Sequence, residues 1–152
     1  MVRLDRVGSL AVLMVAAAFV SGCDEKSKYT KIEPAQVEEV PGSKLKKITL
    51  TPKAIERTDV QTVVVRETSV ASSGAASPVM RQVVPYSSII YDYNGGTWVY
   101  TSPKAREFIR HEIEIDYIDG DNVVLKSGPP NDTTIATVGA AELYGTEVGM
   151  GK

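Results

Sequence analysis

Residues 108–118 read "FIRHEIEIDYI". Ile109, His111, Ile113, Ile115 and Tyr117 take every second position, and Arg110, Glu112, Glu114 and Asp116 fill the places between them. A strand sends alternate side chains to opposite faces, whereas a helix repeats every 3.6 residues, so this period of two predicts a strand with one apolar and one charged face. Downstream, "DGDN" (119–122) supplies turn chemistry before the strand-like "VVLKS" (123–127). "GPPND" (128–132) turns the chain again into "TTIATV" (133–138), and "AAELYG" (140–145) reads as a short helix. Upstream, "VVPYSSII" (83–90) and "GTWVYTS" (96–102) read as strands joined by "YDYNGG" (91–96), whose Asn94-Gly95 pair suits a tight hairpin with positive φ.

The same period continues toward the amino terminus. Ile48 and Leu50 alternate with lysine and threonine in "KKITLT" (46–51), Pro52 opens a helical turn over "PKAIERT" (52–58), and the β-branched "VQTVVV" (60–65) reads as a half-buried strand. Two stretches lack any period. "TSVASSGAASPVMRQ" (68–82), rich in Ser, Ala and Gly, reads as a flexible internal loop, and "DEKSKYTKIEPAQVEEVPGS" (24–43) as a flexible tether. The fold class is all-β with minor helix: a small antiparallel barrel or sandwich of about six to eight short strands over residues 44–152.

Ahead of the tether, Arg3 and Arg6 precede an apolar or small run from Val7 to Val20 that falls short of the roughly 20 residues of a membrane span. Such a segment reads as a secretory signal over residues 1–22. The chain's single cysteine, Cys23, follows directly, with neither a disulfide partner nor CxxC spacing for zinc. Val20-Ser21-Gly22-Cys23 resembles the bacterial lipobox, which implies cleavage before Cys23 and a diacylglycerol on its thiol. An ordinary signal peptide or an uncleaved anchor are the alternatives. Two or more acyl chains give stable attachment where one does not. Asp24 resembles an inner-membrane retention signal; together with the secretory signal and the lipobox this implies a lipid-anchored chain on the extracytoplasmic or periplasmic face of the cell membrane. After cleavage 15 basic side chains stand against 18 acidic ones, a balance unsuited to nucleic acid or to polybasic attachment to lipid.

No enzyme constellation is expected. His111 lies on the apolar side of its strand, where a structural role outweighs catalysis. Ser87-Ser88 lacks the elbow that exposes a nucleophile. Gly95-Gly96 is a turn rather than a phosphate cradle. Met80 and Met150 are isolated. No catalytic residue, cofactor or metal is assigned. Glu112, Glu114 and Asp116 form either a solvated face or a patch for a partner or divalent cation. Tyr86, Tyr91, Tyr93, Trp98 and Tyr100 crowd one hairpin, as either a protein contact surface or cross-strand packing. Tyr93, Trp98, Glu112 and Glu114 are the candidate partner-binding residues.

The segments in order resemble the periplasmic adaptor subunits (membrane fusion proteins) of resistance–nodulation–division efflux pumps. "KITLTPKAIERTDVQTVVV" is similar to the family's opening strand. "VVPYSSIIYDYNGGTWVYTS" resembles its Val-Pro-x-Ser and G-x-x-W-V strands, and "REFIRHEIEI" with "DGDNVVLKSGPPNDTTIATVGAAELYG" its closing strands. The resemblance implies a membrane-proximal domain assembled from both ends of the chain. The barrel, lipoyl-like domain and helical hairpin that the family inserts are reduced here to residues 68–82. It implies a non-enzymatic accessory subunit docking to an inner-membrane transporter, without the reach to an outer-membrane channel. Binding of cell wall or a small ligand is the alternative. Neither the resemblance nor the residues specify an oligomeric state.

Overall fold

The structure, a computed structural model, describes residues 33–70 and 77–150. The signal segment, Cys23 and the first part of the expected tether lie outside the described residues. In chain order the elements are β1 (Ala35–Glu39), β2 (Lys46–Leu50), α1 (Pro52–Thr58), β3 (Gln61–Val64), β4 (Arg66–Val70), β5 (Val79–Pro85) and a 3-10 turn at Tyr86–Ser88. Then come β6 (Ile90–Tyr91), β7 (Thr97–Lys104), β8 (Glu107–Glu112), β9 (Glu114–Asp119), β10 (Asn122–Ser127), β11 (Thr134–Val138) and α2 (Ala140–Val148). They form two antiparallel sheets. The first runs β1-β2-β8-β7-β11-β3 with β6 on β7, and the second runs β4-β5-β10-β9. The all-β expectation holds, as a layered pair of open sheets rather than a closed barrel.

The stretch 108–118 is not one strand but two. β8 belongs to the first sheet and β9 to the second, and Ile113 between them is 4% exposed in the core shared by both sheets. The same event occurs at Val65, 1% exposed, between β3 and β4. A strand that changes sheets makes a corner of the fold, and in both corners the residue at the bend is buried in the common core.

That core takes Val99 and Ile135 from the first sheet and Val84, Val123 and Leu125 from the second. A second core fills the opposite face of the first sheet, where Ile48, Leu50, Tyr100, Phe108 and Ala136 meet Ala54 of α1 and Ala140 and Leu143 of α2. Neighbouring residues therefore serve different cores: Val99 and Tyr100 are both fully buried on opposite faces of β7. β7 is read from sequence only as a strand, and the helices that cover its Tyr100 side lie far from it in the chain.

The helices carry their own stop and start signals. The Thr51 hydroxyl accepts the Ala54 amide at 3.2 Å, Pro52 opens α1, and Asp59 ends it in the left-handed region. α2 ends in a Schellman arrangement, with Gly149 at φ +78°, its amide on the Thr146 carbonyl and the Met150 amide on the Gly145 carbonyl.

Several boundaries shift. Ala35–Glu39, read as tether, pairs in register with Lys46–Leu50, and Lys47 meets Glu38 at 3.0 Å directly across the ladder. Alternation is hard to see in "AQVEE" because only Ala35 and Val37 are half-buried. The internal loop is shorter than residues 68–82, since β4 and β5 pair from Arg66↔Val83 to Val70↔Val79. "VVPYSSII" breaks at the 3-10 turn, where Ser88 is buried with its hydroxyl on the Pro85 carbonyl. "VQTVVV" is less buried than expected: β3 is an exposed edge, Val60 packs half-buried against the helix-side core, and Val65 alone of the stretch is fully buried.

Candidate functional site

The aromatic hairpin is organised by a residue the sequence reading passed over. Asp92 follows β6, and its Oδ1 accepts the backbone amides of Asn94 and Gly96, each at 2.9 Å. Its Oδ2 accepts the indole Nε1 of Trp98 at 3.0 Å. The Gly95 amide closes a turn onto the Asp92 carbonyl, and Gly95 takes φ +83°. The loop is thus a turn followed by a left-handed residue rather than one with positive φ at both Asn94 and Gly95. Gly96 is required by contact: a Cβ there would stand 2.8 Å from Trp98 Nε1 and 3.1 Å from Asp92 Oδ2. The Gly96 amide above all, helped by the Asn94 amide, the indole and Arg110, holds the Asp92 carboxyl below the usual aspartate range against the opposing effect of burial.

Behind the loop lies a charged clamp. Arg110 of β8 stacks with its guanidinium carbon 4.7 Å from the Trp98 ring centroid and 5.7 Å from that of Tyr144. Its Nε donates to the Glu147 carboxylate at 2.9 Å, and a terminal nitrogen lies 4.0 Å from Asp92. Glu147 is 3% exposed and takes a second bond, at 2.6 Å, from the Tyr100 hydroxyl. Burial, and then that bond to the carboxylate, push the Tyr100 phenol well above its ordinary range. A carboxylate in the last turn of a helix faces the negative end of the helix dipole. Arg110 offsets this, while Lys46 Nζ donates to the Glu147 carbonyl at 3.2 Å.

The five aromatics of the hairpin therefore divide. Tyr100 is core, and Trp98 is a half-buried member of the clamp. Tyr86, Tyr91 and Tyr93 face outward, with Tyr93 88% exposed at the tip. A bond to Tyr86 and partial desolvation, the latter the larger, raise the Tyr91 phenol above its ordinary range.

The carboxylate row does not survive as one face. Glu112 ends β8, opposite Trp98 in the register, while Glu114 and Asp116 belong to β9 in the other sheet. Glu114 pairs with Lys126 at 3.2 Å. Among the described residues no three His, Cys, Asp or Glu side chains come together as a metal site. Arg110, read as solvated on the charged face, packs beneath the helix instead.

His111, on the other face of β8, lines an open cleft of about 420 Å³ with Thr101, Ser102, Asp132, Thr133 and Thr134. The hydroxyls of Thr101 and Ser102 are already committed to the carbonyls of Ile109 and Lys104. Met80 and Met150 are exposed.

Of the four residues proposed for partner binding, only Tyr93 and Glu112 lie near the hairpin while exposed; Trp98 holds the clamp, and Glu114 belongs to another edge. Sequence did carry signals for the missing members. Asp92, two positions ahead of Asn94-Gly95-Gly96, is the residue type that caps such a turn, and Glu147 falls on the same helical stripe as Ala140 and Leu143. Among the described residues no helix is long and apolar enough to cross a membrane. Neither protein-family models nor curated protein sequences match this chain.

Proposed function

We propose that this chain is a non-enzymatic, lipid-anchored accessory subunit that docks to the extracytoplasmic part of a membrane transporter through the β6–β7 hairpin. The observation that carries the reading is the contrast at the tip: Tyr93 is 88% exposed while the loop beneath it is held by three hydrogen bonds to Asp92. An ordered aromatic loses little entropy on binding, which is why such residues anchor interfaces. The lipobox-like tetrapeptide and the segments that resemble efflux adaptors support the membrane setting and the class of partner. Attachment through Cys23 would confine the domain to a thin layer above the bilayer, where a weak contact gains from high effective concentration.

Crosslinking in native membranes tests it. Transporter components should be recovered, and Tyr93→Ala should reduce their yield without changing the unfolding midpoint. Trp98→Ala is the poorer probe because it dismantles the clamp. Loss of nothing in Tyr93→Ala removes the hairpin as the docking surface, and an unmodified mature amino terminus removes the lipid anchor. The hydroxyl-lined cleft at His111 favours a second reading, binding of a wall polymer or small ligand. Capture by isolated wall polymer, weakened by substitution of Thr134, would transfer the function there.

A further inference from the structure

Both helices pack into the first core, which contains no residue of the second sheet. The second sheet's inner face is identified by Val84 and Val123, which are register partners within the shared core. Alternation then assigns the outer face. Val83 pairs with Arg66 on one side and Val124 on the other, and Arg81 and Lys126 lie two residues along from these valines. Three cations from three adjacent strands thus share one face around the half-buried Val83 and the buried Val124, with Tyr117 of β9 beside Val124, in a chain whose overall charge is −2. Lys126 is matched by Glu114 at 3.2 Å, but among the described residues neither Arg66 nor Arg81 makes an ion pair. Arg81 Nε is closed off from solvent with no hydrogen-bond partner.

A docking segment cannot reach the enclosed Nε, but among the described residues the terminal nitrogens of Arg81 are neither bonded nor closed off, and it is these that an incoming carboxylate meets. The planar guanidinium is shaped for a carboxylate, which accepts two parallel bonds from it. We propose that the outer face of the second sheet is a docking surface for an acidic segment of another protein, whose carboxylates pair with Arg81 and Arg66 above Val83 and Val124. This goes beyond the hairpin reading, since it uses a different sheet and a different chemistry. A protein segment is favoured over a lipid surface because the patch has two unmatched cations among the described residues, whereas lipid-binding segments gather about four to eight.

Fluorescence anisotropy of labelled hexaglutamate titrated with the full chain tests the assignment. Binding should weaken with salt, and Arg81→Gln should weaken it about tenfold or more, with Arg66→Gln in the same direction. Arg81→Gln should unfold at or above the parent temperature, because it removes an unpaired donor; this distinguishes loss of contact from loss of fold. The charge-reversed Arg66→Glu/Arg81→Glu variant should exchange hexaglutamate for hexalysine. Absence of hexaglutamate binding, equal binding of hexalysine by the parent, or indifference to both glutamine substitutions overturns the proposal. So does capture by phosphatidylglycerol vesicles without peptide binding, which assigns the face to lipid. Self-association lost in Arg81→Gln without peptide binding overturns it in favour of a second copy.

Discussion

The two sheets share a core and differ in what covers their outer faces. The first is closed by α1 and α2, and the polar side chains drawn into that layer among the described residues have partners: Arg110 on Glu147, Tyr100 on Glu147, Lys46 on the helix carbonyl, the Trp98 indole on Asp92. Among the described residues no helix joins the second sheet to that layer, and its outer face carries a buried side-chain nitrogen left without a bond, Arg81 Nε. A buried charge costs little only when fully matched, so a layer formed within the chain evolves its partners in the same chain. Where the covering layer is a different molecule, the match lies outside the chain. The contrast separates stability from recognition: substitutions in the clamp should act on folding, and substitutions on the second sheet on binding.

The largest effect should come from Arg110→Met, which leaves Glu147 buried and unpaired. We expect a loss of about 3–5 kcal/mol in denaturant unfolding. Arg110→Met/Glu147→Leu should recover most of it, because removing both charges leaves no orphan. A double variant no better than the single one would show that the clamp contributes packing rather than charge matching.

Tyr100→Phe should cost about 1.5–3 kcal/mol by removing a bond to a charged acceptor. It should also change the alkaline limb. The Tyr100 phenol is raised in the folded state, so the unfolded chain releases its proton first, above about pH 10. The stability from this group is fully present below that pH and is lost as pH rises beyond it. The phenylalanine variant should show a flatter decline, measured as melting temperature against pH.

Gly96→Ala should cost about 1–3 kcal/mol by crowding the indole and Asp92. Asp92→Asn tests the loop through acid. The carboxyl of Asp92 is depressed, so its contribution is present above the ordinary aspartate value near 3.9 and disappears as pH falls through the lower folded value. The asparagine variant should melt lower than the parent at neutral pH, with the gap closing in acid. A gap constant from neutral pH into acid would separate Asp92 from the loop's stability.

The smallest effect belongs to the second sheet. Lys126→Gln breaks an exposed pair with Glu114 and should move stability by no more than about 0.5 kcal/mol. A loss comparable to that at Arg110 would erase the distinction between the two sheets.

What was legible in the sequence was local. Turn residues announced the turn at 119–122, where Gly120 takes φ +57°, and Pro52 announced α1. Alternation announced β2 and the strand character of 108–118, and turn residues on either side bounded β10 and β11. Each of these depends on residues a few positions apart. β1 escaped because "AQVEE" has too few apolar side chains to show a period, and its strand state depends on the ladder with β2.

The sequence by itself thus determined that the chain is all-β, where most strands and both helices lie, and that an aromatic hairpin occupies residues 91–100. Tertiary structure alone decided which sheet each half of "FIRHEIEIDYI" joins, because the bend at Ile113 exists only where two sheets share a core. It alone turned Arg110 from a solvated charge into a clamp, since Glu147 lies on a helix that must first dock across β7 and β8. Period two reports that two faces differ. What covers each face is set by residues distant in the chain, and alternation carries no record of them.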